Sequence, residues 1–227
     1  AKLHAPVWGD ATLASMEWLN RNSPEGLIGL MSMLWPGFCE RYAGRLDPEV
    51  EAAGASLMER LPAYLAFRPD VLTAVHGDFR LDNMLFDPTP GGVPLTVVDW
   101  QTVSHGAGPT DVAYFCGTGL DPAVRAEVER DLVKEYHDTL RAGGVRDLSL
   151  EACWDQYRRF AFAGFLMAVI SSMIVVRTND TSNRKATARI IASDNSRLVM
   201  KFLTPPTSGS GCTSHALFND ACNCTMT

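Results

Sequence analysis

Apolar residues recur with a helical spacing over most of the first third of the chain. Asp10 is a residue type that caps helices, and the sequence predicts a helix from there to about Asn22. Ser23-Pro24 predicts a second helix, since serine caps helices and proline suits the first helical turn. Asp47-Pro48 predicts a third, whose apolar residues recur at spacings of three and four: Val50, Ala53, Leu57, Leu61 and Leu65.

The middle third changes to short β-prone runs. These are VLTAV at 71–75, MLF at 84–86 and LTVV at 95–98. DPTPGG at 87–92 is dense in turn-forming residues and lies between the last two runs, so we predict a small β-hairpin there. The fold class predicted by these periods is mainly α with one small hairpin, an α+β arrangement.

Helical spacing returns after the hairpin. Asp121-Pro122 repeats the capping residue followed by proline, Gly143-Gly144 predicts the end of that helix, and Ser149 predicts the start of the next. The helix that begins at Asp121-Pro122 is predicted to carry one apolar face formed by Val124, Val128, Leu132 and Tyr136. A last amphipathic segment is predicted over residues 185–203.

The run FAFAGFLMAVISSMIVV at 160–176 raises the question of a membrane span. It carries no charge over seventeen residues, which reaches only the lower edge of the roughly 17–25 residues that a span needs. Arginines flank both ends, so the charges give no orientation. We predict a buried core helix and no membrane partner.

The composition changes near the C-terminus. Residues 1–203 are predicted to form one helical domain, and residues 204–227 a flexible polar tail without a periodic apolar face. Cys212 and His215, with Cys222 and Cys224, could in principle bind Zn²⁺. Their spacing matches no familiar zinc motif and no apolar core surrounds them, so we favour disorder.

Charge and the first residues limit the class of partner and compartment. The formal net charge of the 227 residues is −6, which argues against a nucleic-acid polymer as partner because such surfaces are usually basic. The sequence begins without the positive and apolar pattern of a secretory leader, so a cytoplasmic location is predicted.

A polar cluster brackets the predicted hairpin. His76, Asp78 and Asn83 precede its first strand, and Asp99 follows its second. Because a hairpin brings its flanking segments side by side, we expect Asp99 to lie near Asp78 and Asn83. Two carboxylates and an amide oxygen suit a hard cation such as Mg²⁺. Phosphoryl transfer needs one Asp as base and an Asn and a second Asp to hold metals, so we assign Asp78 as base and the other two as metal ligands.

These residues have two other interpretations. Asp and Asn favour turns, so the cluster could simply shape the hairpin. A metal-dependent hydrolase could use His76, Asp78 and Asp99, but that leaves Asn83 and the order of the motif unexplained. The joint spacing of all four residues favours the phosphotransferase interpretation.

HGDFRLDN at 76–83, followed by VVDWQ at 97–101, resembles the catalytic and metal-binding loops of the aminoglycoside phosphotransferase and choline-kinase-like family. The resemblance implies the C-terminal lobe of a protein-kinase-like fold. It also implies a small-molecule kinase that uses ATP and Mg²⁺ and phosphorylates a hydroxyl group, with the nucleotide held through Asn83 and Asp99. The acceptor stays open, since aminoglycosides, choline-like amines, sugars and other alcohols fit the same loop.

Further residues match the family pattern outside the two loops. Asp111 in GPTDVAYF corresponds to an Asp that opens a helix and braces the catalytic loop, and His4 in AKLHA matches a family histidine. His76 is implied to brace the loop and not to transfer a proton. Arg80 is a candidate contact to phosphate or substrate, with a solvent-exposed role as the alternative. His105 is a candidate residue of the acceptor pocket, with no role as the alternative.

The family's N-terminal β-rich lobe has no counterpart in this sequence. No glycine-rich loop precedes His76, and no lysine lies on a predicted strand there. We therefore expect the sequence to be a fragment that begins where the N-terminal lobe would end, and that could be inactive alone. A non-catalytic kinase-like binding module is the alternative function, although the presence of Asp78, Asn83 and Asp99 argues against it.

Overall fold

The computed structural model describes residues 1–20 and 23–174, and these fall into two compact units. The first unit contains the described residues of Ala1–Asn22 and Arg68–Ala161; the second contains those of Ser23–Phe67 and Phe162–Thr227. The predicted amphipathic segment at 185–203 and the predicted tail, with its cysteines, lie outside the described residues. The helices are α1 Ala11–Ala14, α2 Pro24–Tyr42, α3 Pro48–Glu59, α4 Leu61–Ala66, α5 Pro109–Gly119, α6 Pro122–Ala142, α7 Leu150–Phe160 and α8 Phe162–Ile174, and the strands are β1 Thr73–Val75, β2 Met84–Phe86, β3 Leu95–Val97 and β4 Ser104–Gly106.

The predicted helix starts are confirmed by their capping contacts. A side-chain oxygen of the predicted capping residue accepts a backbone N–H from the first helical turn at Asp10, Ser23, Asp47, Asp121 and Ser149. Each contact satisfies one of the N–H groups that a helix leaves without an internal partner. These are local interactions between residues two or three positions apart, which is why the sequence alone identifies them.

The helix predicted from Asp10 to about Asn22 is wrong beyond its first turn. α1 ends at Ala14, and a separate 3₁₀ turn follows at Glu17–Leu19. The Asn20 side-chain amide donates to the carbonyls of Leu13 and Met16, at 2.9 Å each. Those carbonyls are satisfied without a continuing helix, so the chain turns instead.

The helix predicted from Asp47-Pro48 is divided in two. α3 ends and α4 begins around Arg60, whose φ of −104° and ψ of 10° are not helical. Pro62 follows in the first turn of α4, where its missing N–H costs no hydrogen bond. Most of the predicted apolar face is nevertheless buried: Val50, Ala53, Leu57 and Leu61.

The second unit is organised around an aromatic and aliphatic core. Phe38 of α2 and Phe165 of α8 are fully buried and meet edge to face, with ring centroids 6.2 Å apart. Gly54 of α3 faces the same core, where an added Cβ would lie 2.7 Å from Trp35 and 2.8 Å from Phe165. The close approach of α3 to these rings therefore requires glycine at this position.

α8 contains most of the uncharged run that raised the membrane question. By length and composition alone, the helical stretch Leu150–Ile174 could cross a membrane, and 44% of its most apolar window is buried inside the protein. The chain leaves regular helix at Ala161. Phe165, Leu166, Ala168 and Val169 are buried in the core of the second unit, which is typical of a core helix.

The predicted hairpin is confirmed, and a second strand pair joins it in the first unit. β2 and β3 are antiparallel, with Met84 opposite Val97. β1 pairs with β4, which places Ala74 opposite His105. β4 was not predicted, because SHG at 104–106 has no β-prone pattern. At this level the fold is mainly helical with small antiparallel sheets, as predicted.

The predicted apolar face of α6 is confirmed at Tyr136, which is buried, and is wrong at Val124. Val124 is 47% exposed, whereas the buried residues are Arg125, Glu129, Val133, Tyr136 and Leu140. The charged pair is buried because Arg125 lies 3.7 Å from Glu129, and the Tyr157 hydroxyl donates to Glu129 at 2.9 Å. A pattern that counts only apolar residues cannot recognise a buried face that includes an ion pair.

Candidate active site

Asp111 fixes the start of the polar loop. This aspartate lies in the first turn of α5 and is 3% exposed. Its Oδ2 accepts the backbone N–H of His76 at 2.8 Å, and its Oδ1 accepts that of Gly77 at 2.9 Å. A carboxylate that binds two consecutive N–H groups dictates the path of the backbone between them. The predicted bracing role of Asp111 stays a prediction, and these contacts support it.

His4 and Tyr136 extend this network away from the loop. His4 Nε2 lies 3.1 Å from Asp111 Oδ2, and its Nδ1 lies 2.8 Å from the Tyr136 hydroxyl. Since an ionised carboxylate only accepts, Nε2 carries the proton that it donates to Asp111. Burial raises the pKa of Tyr136, so its hydroxyl stays protonated. The sequence signal for His4 was the family resemblance alone, and Tyr136 was predicted only as an apolar-face residue.

His76 joins the loop to the end of the hairpin. Its Nδ1 accepts the backbone N–H of Asp78 at 3.3 Å, and its Nε2 lies 3.0 Å from the Val98 carbonyl, to which it donates. The ring is fully buried and meets Trp100 at a centroid distance of 4.7 Å. With both nitrogens engaged by the backbone, the imidazole holds two segments together, in keeping with the predicted bracing role.

Gly77 is required by the backbone at this point of the loop. Its φ is +81°, a conformation that side chains disfavour. An added Cβ would lie 2.6 Å from the Thr102 carbonyl oxygen. Thr102 also donates its hydroxyl to the His76 carbonyl at 2.8 Å. The tight approach of these two segments explains why glycine follows the histidine in this motif.

The structure brings Asp78 and Asn83 into direct contact. Asn83 Nδ2 donates to the Asp78 carbonyl and to its Oδ2, both at 2.9 Å. Arg80 Nε lies 3.3 Å from the same Oδ2, and Arg80 Nη1 lies 3.6 Å from Asp82. Asn83 is buried, whereas Asp78 is partly exposed. The loop therefore presents an oriented carboxylate at its surface, and Arg80 contacts this carboxylate.

Asp99 directly follows Val98, the residue that pairs with Asn83 at the end of the hairpin. Val98 N–H donates to the Asn83 carbonyl at 2.9 Å, which continues the register in which Met84 faces Val97. Asp99 is exposed and has φ 65° and ψ 61°, and no other non-glycine residue in the described ranges has a positive φ. Strained backbone of this kind concentrates at functional sites.

The remaining predicted residue, His105, lies on β4. Its carbonyl accepts from Arg68 Nη2 at 3.4 Å. Partial burial, together with the positive charge of Arg68, lowers the pKa of its imidazole. Among the described residues, no contact joins His105 to Asp78, Asn83 or Asp99. A place in the acceptor pocket stays a prediction for this residue.

The donor chemistry of Asn83 and Asp99 fits a hard cation. Because Asn83 Nδ2 is committed to Asp78, its Oδ1 is the atom left to face a metal. Within residues 1–20 and 23–174, no group of three or more His, Cys, Asp or Glu side chains could hold a metal ion. Mg²⁺ does not need such a group, since it usually takes one or two carboxylates and completes its shell with water and phosphate.

Comparison with known families decides the identity of this arrangement. The model of the phosphotransferase enzyme family, APH, matches residues 12–158. The chain belongs to this family. The match covers more than half of the sequence and includes both loops described above. Membership of the family supports phosphotransfer as the activity class. No solved structure matches the chain.

Curated relatives match shorter segments of the chain. The chain is 44% identical over 69 residues to acyl-CoA dehydrogenase family member 10 of Mus musculus, covering 29% of the chain and 6% of the relative. It is 35% identical over 86 residues to acyl-CoA dehydrogenase family member 11 of Gallus gallus, covering 35% of the chain and 11% of the relative. The human family member 11 is 31% identical over 86 residues with the same coverage. The matched segments thus span only a small part of these relatives.

Proposed function

We propose that this chain is the C-terminal lobe of a protein-kinase-like fold and takes part in ATP- and Mg²⁺-dependent phosphorylation of a small-molecule hydroxyl. The observation that carries the proposal is the bonded pair of Asp78 and Asn83, together with the hydrogen bond that the N–H of Val98, the residue before Asp99, donates to the Asn83 carbonyl. A base and two oxygen ligands in this order are what phosphoryl transfer requires.

Asp78 is the proposed catalytic base. Its carboxylate accepts the proton of the acceptor hydroxyl while the hydroxyl oxygen forms a bond to the γ-phosphorus and the bond to the bridging oxygen of ADP breaks. Asn83 Oδ1 and the Asp99 carboxylate would hold Mg²⁺, which neutralises charge on the phosphates. Arg80 would leave the carboxylate and contact a phosphate oxygen when the nucleotide binds, because a phosphate offers it a charged partner.

The acceptor class is also a proposal. Because the curated relatives are acyl-CoA dehydrogenase family members, a hydroxyacyl thioester belongs among the acceptors to test. Aminoglycosides, choline-like amino alcohols and sugars complete the panel, since the loop itself does not distinguish among them.

The proposal is tested by nucleotide binding and phosphate transfer on the 227-residue chain. We expect ATP to raise the melting temperature only when Mg²⁺ is present, and radiolabelled γ-phosphate to reach one of the acceptors. Asp78→Asn should abolish transfer, a loss of about 10²-fold or more for a general base, while the ATP-dependent shift remains. Asp99→Asn should remove the Mg²⁺-dependent shift.

Asp82→Asn provides the matched control. It makes the same chemical change in the same loop, at a side chain that is 60% exposed. We expect it to retain both the shift and the transfer. A wild-type chain that shows no shift with ATP, with or without Mg²⁺, contradicts ATP binding by this chain.

A further inference from the structure

The polar loop, residues 76–83, also has apolar side chains, and α5 contacts them. Phe79 meets Phe115 of α5 with ring centroids 5.9 Å apart. The Phe79 ring also meets His76 edge to face, at a centroid distance of 6.0 Å. Leu81 approaches Gly119, where an added Cβ would lie 3.6 Å from Leu81 Cδ1. A separate helix therefore packs against the loop that carries the proposed base.

The points at which α5 meets the loop lie on one face of the helix. Asp111, Phe115 and Gly119 are four residues apart, and residues at this spacing lie one above the other along a helix. Asp111 binds the N–H groups of His76 and Gly77. Two turns of α5 thus run beside the loop and meet its backbone first and its apolar side chains afterwards.

This order places the proposed base between two anchored residues. Gly77, on one side of Asp78, donates its N–H to Asp111. Phe79, on the other side, packs against Phe115. Since each residue has only two soft backbone dihedrals, fixing both neighbours restricts the direction in which the Asp78 side chain leaves the backbone. One helix therefore restrains this carboxylate from both sides, in addition to the hydrogen bonds within the loop.

Phe115 connects the loop to the core of the first unit. Its ring is partly buried and packs against the apolar cluster that includes Cys116 and Tyr157. Aromatic pairs prefer particular relative orientations, so such a pair restrains the orientation of a ring as well as its distance. Through Phe79, the loop is held against a packed core and not only against itself.

We propose that Phe115 is a positioning residue that, through Phe79, holds the loop on one side of Asp78, while Asp111 holds it on the other. The inference rests on the proposed phosphotransferase function, in which the Asp78 carboxylate accepts the proton of the acceptor hydroxyl. Phe115 would not touch the acceptor or ATP. Its loss should therefore lower the rate of transfer and leave the binding of Mg²⁺-ATP unchanged.

Phe115→Leu is the kinetic test, because leucine keeps the position apolar and removes the ring. We expect kcat to fall about 10-fold or more, the scale of a misplaced reacting group. KM for ATP and the Mg²⁺-ATP thermal shift should equal those of wild type. An unchanged kcat overturns the proposal, and so does a loss of the thermal shift in a variant that is folded.

Phe38→Leu is the matched control. It makes the same change at a fully buried ring that meets Phe165 in the core of the second unit. We expect it to lower the urea midpoint at least as much as Phe115→Leu does, since a fully buried side chain loses more contacts, and to keep kcat near the wild-type value. A similar loss of kcat in both variants would show that lost stability alone slows transfer, which overturns the positioning role.

Phe79→Leu removes the other ring of the same contact. If Phe115 acts through Phe79, the double variant should have a kcat little below that of the slower single variant, because residues in direct contact are not additive. Losses of kcat that multiply in the double variant would show that the two rings act independently, which also overturns the proposal.

Hydrogen exchange tests the contact without activity. The N–H groups of His76, Gly77 and Asn83 are hydrogen-bonded in the loop, and such groups exchange when the segment opens locally. In Phe115→Leu we expect them to exchange about 2-fold to 10-fold faster, the factor that corresponds to one aromatic pair. Phe38→Leu should leave their exchange unchanged. Unchanged exchange in Phe115→Leu would show that this ring does not hold the loop.

The kinetic and exchange measurements separate this inference from the proposed function. If wild type transfers phosphate and Phe115→Leu loses kcat, both are supported. If wild type transfers phosphate to no acceptor, the proposed function fails for this chain. Hydrogen exchange then decides alone whether Phe115 holds the loop: faster exchange supports this role and unchanged exchange rejects it.

Discussion

Asp111 and Glu129 are both buried carboxylates of the first unit, yet they bind different kinds of partner. Asp111 is 3% exposed and accepts two backbone N–H groups of the polar loop, in addition to His4. Glu129 is fully buried and interacts with the side chains of Arg125 and Tyr157. Both satisfy the requirement that a buried charge be paired. Asp111 differs because it dictates the backbone path of the loop that carries Asp78, whereas Glu129 joins helices.

From this difference we predict that a change at Glu129 lowers stability alone, whereas a change at Asp111 lowers both stability and function. The Glu129 network can weaken without moving the loop, since Arg125 and Tyr157 lie on α6 and α7. The Asp111 network cannot, because both backbone N–H groups that the carboxylate accepts belong to the loop itself. Asp111→Asn and Glu129→Gln test this comparison, because each converts a buried carboxylate to an amide in one of the two networks.

The largest effect is expected for Asp111→Asn. The amide can accept one loop N–H, but its NH₂ group faces another donor, so we expect a loss of about 3 kcal/mol of unfolding free energy together with loss of the Mg²⁺-ATP thermal shift. Urea unfolding and thermal shift measure the two effects. Glu129→Gln is the matched control, because the Tyr157 hydroxyl can still donate to the new amide oxygen.

We expect Glu129→Gln to lower the unfolding free energy by roughly 1–3 kcal/mol, because the change removes the negative charge that faces Arg125, and to keep the Mg²⁺-ATP shift. If Asp111→Asn also keeps that shift while folded, Asp111 does not shape the site. Loss of the shift in both variants would mean that the two networks are not separable.

Gly77→Ala should have the next largest effect. The substitution places a Cβ at positive φ, which costs about 1–2 kcal/mol, and adds a contact of 2.6 Å to the Thr102 carbonyl. The expected loss therefore exceeds about 2 kcal/mol, with reduced phosphate transfer. Urea unfolding measures the first, and the acceptor assay the second.

Gly144→Ala controls for backbone strain alone. Gly144 has φ +101° and open space around the position of a Cβ, and it lies at the end of α6, outside the loop. It should lose less stability than Gly77→Ala and retain transfer. Equal losses would indicate that the contact with Thr102 relaxes without cost and that the fit around Gly77 is not tight.

The two glycines also illustrate what the sequence could predict. Gly143-Gly144 was identified as a helix end from local pattern, as were the helix caps and the β2–β3 hairpin, because these features depend on neighbouring residues. The need for glycine at position 77 depends on Thr102, twenty-five positions further along the chain. The motif resemblance included Gly77, but no local rule explains it.

The candidate site shows the same division. The spacing of the motif was enough to predict that Asp78 and Asn83 lie together. The hairpin order predicted that Asp99 follows the strand that pairs beside Asn83, and the Val98 N–H bonds the Asn83 carbonyl accordingly. The contact of Phe115 with Phe79 was not identified, because it depends on how α5 packs against the loop. The buried face of α6 was predicted only in part for a related reason: Arg125 and Glu129 are buried as a pair, and only the tertiary structure shows that pairing.

Tyr136→Phe is expected to have the smallest effect and tests how far the Asp111 network extends. The change removes the hydroxyl that lies 2.8 Å from His4 Nδ1, so we expect a loss of about 1 kcal/mol in urea unfolding. His4 keeps its contact with Asp111 through Nε2, and Asp111 keeps both N–H groups of the loop. The Mg²⁺-ATP shift should therefore equal that of wild type. A variant that loses the shift as completely as Asp111→Asn would contradict this limit, and would place the control of loop geometry at α6 instead of at the carboxylate that binds the loop.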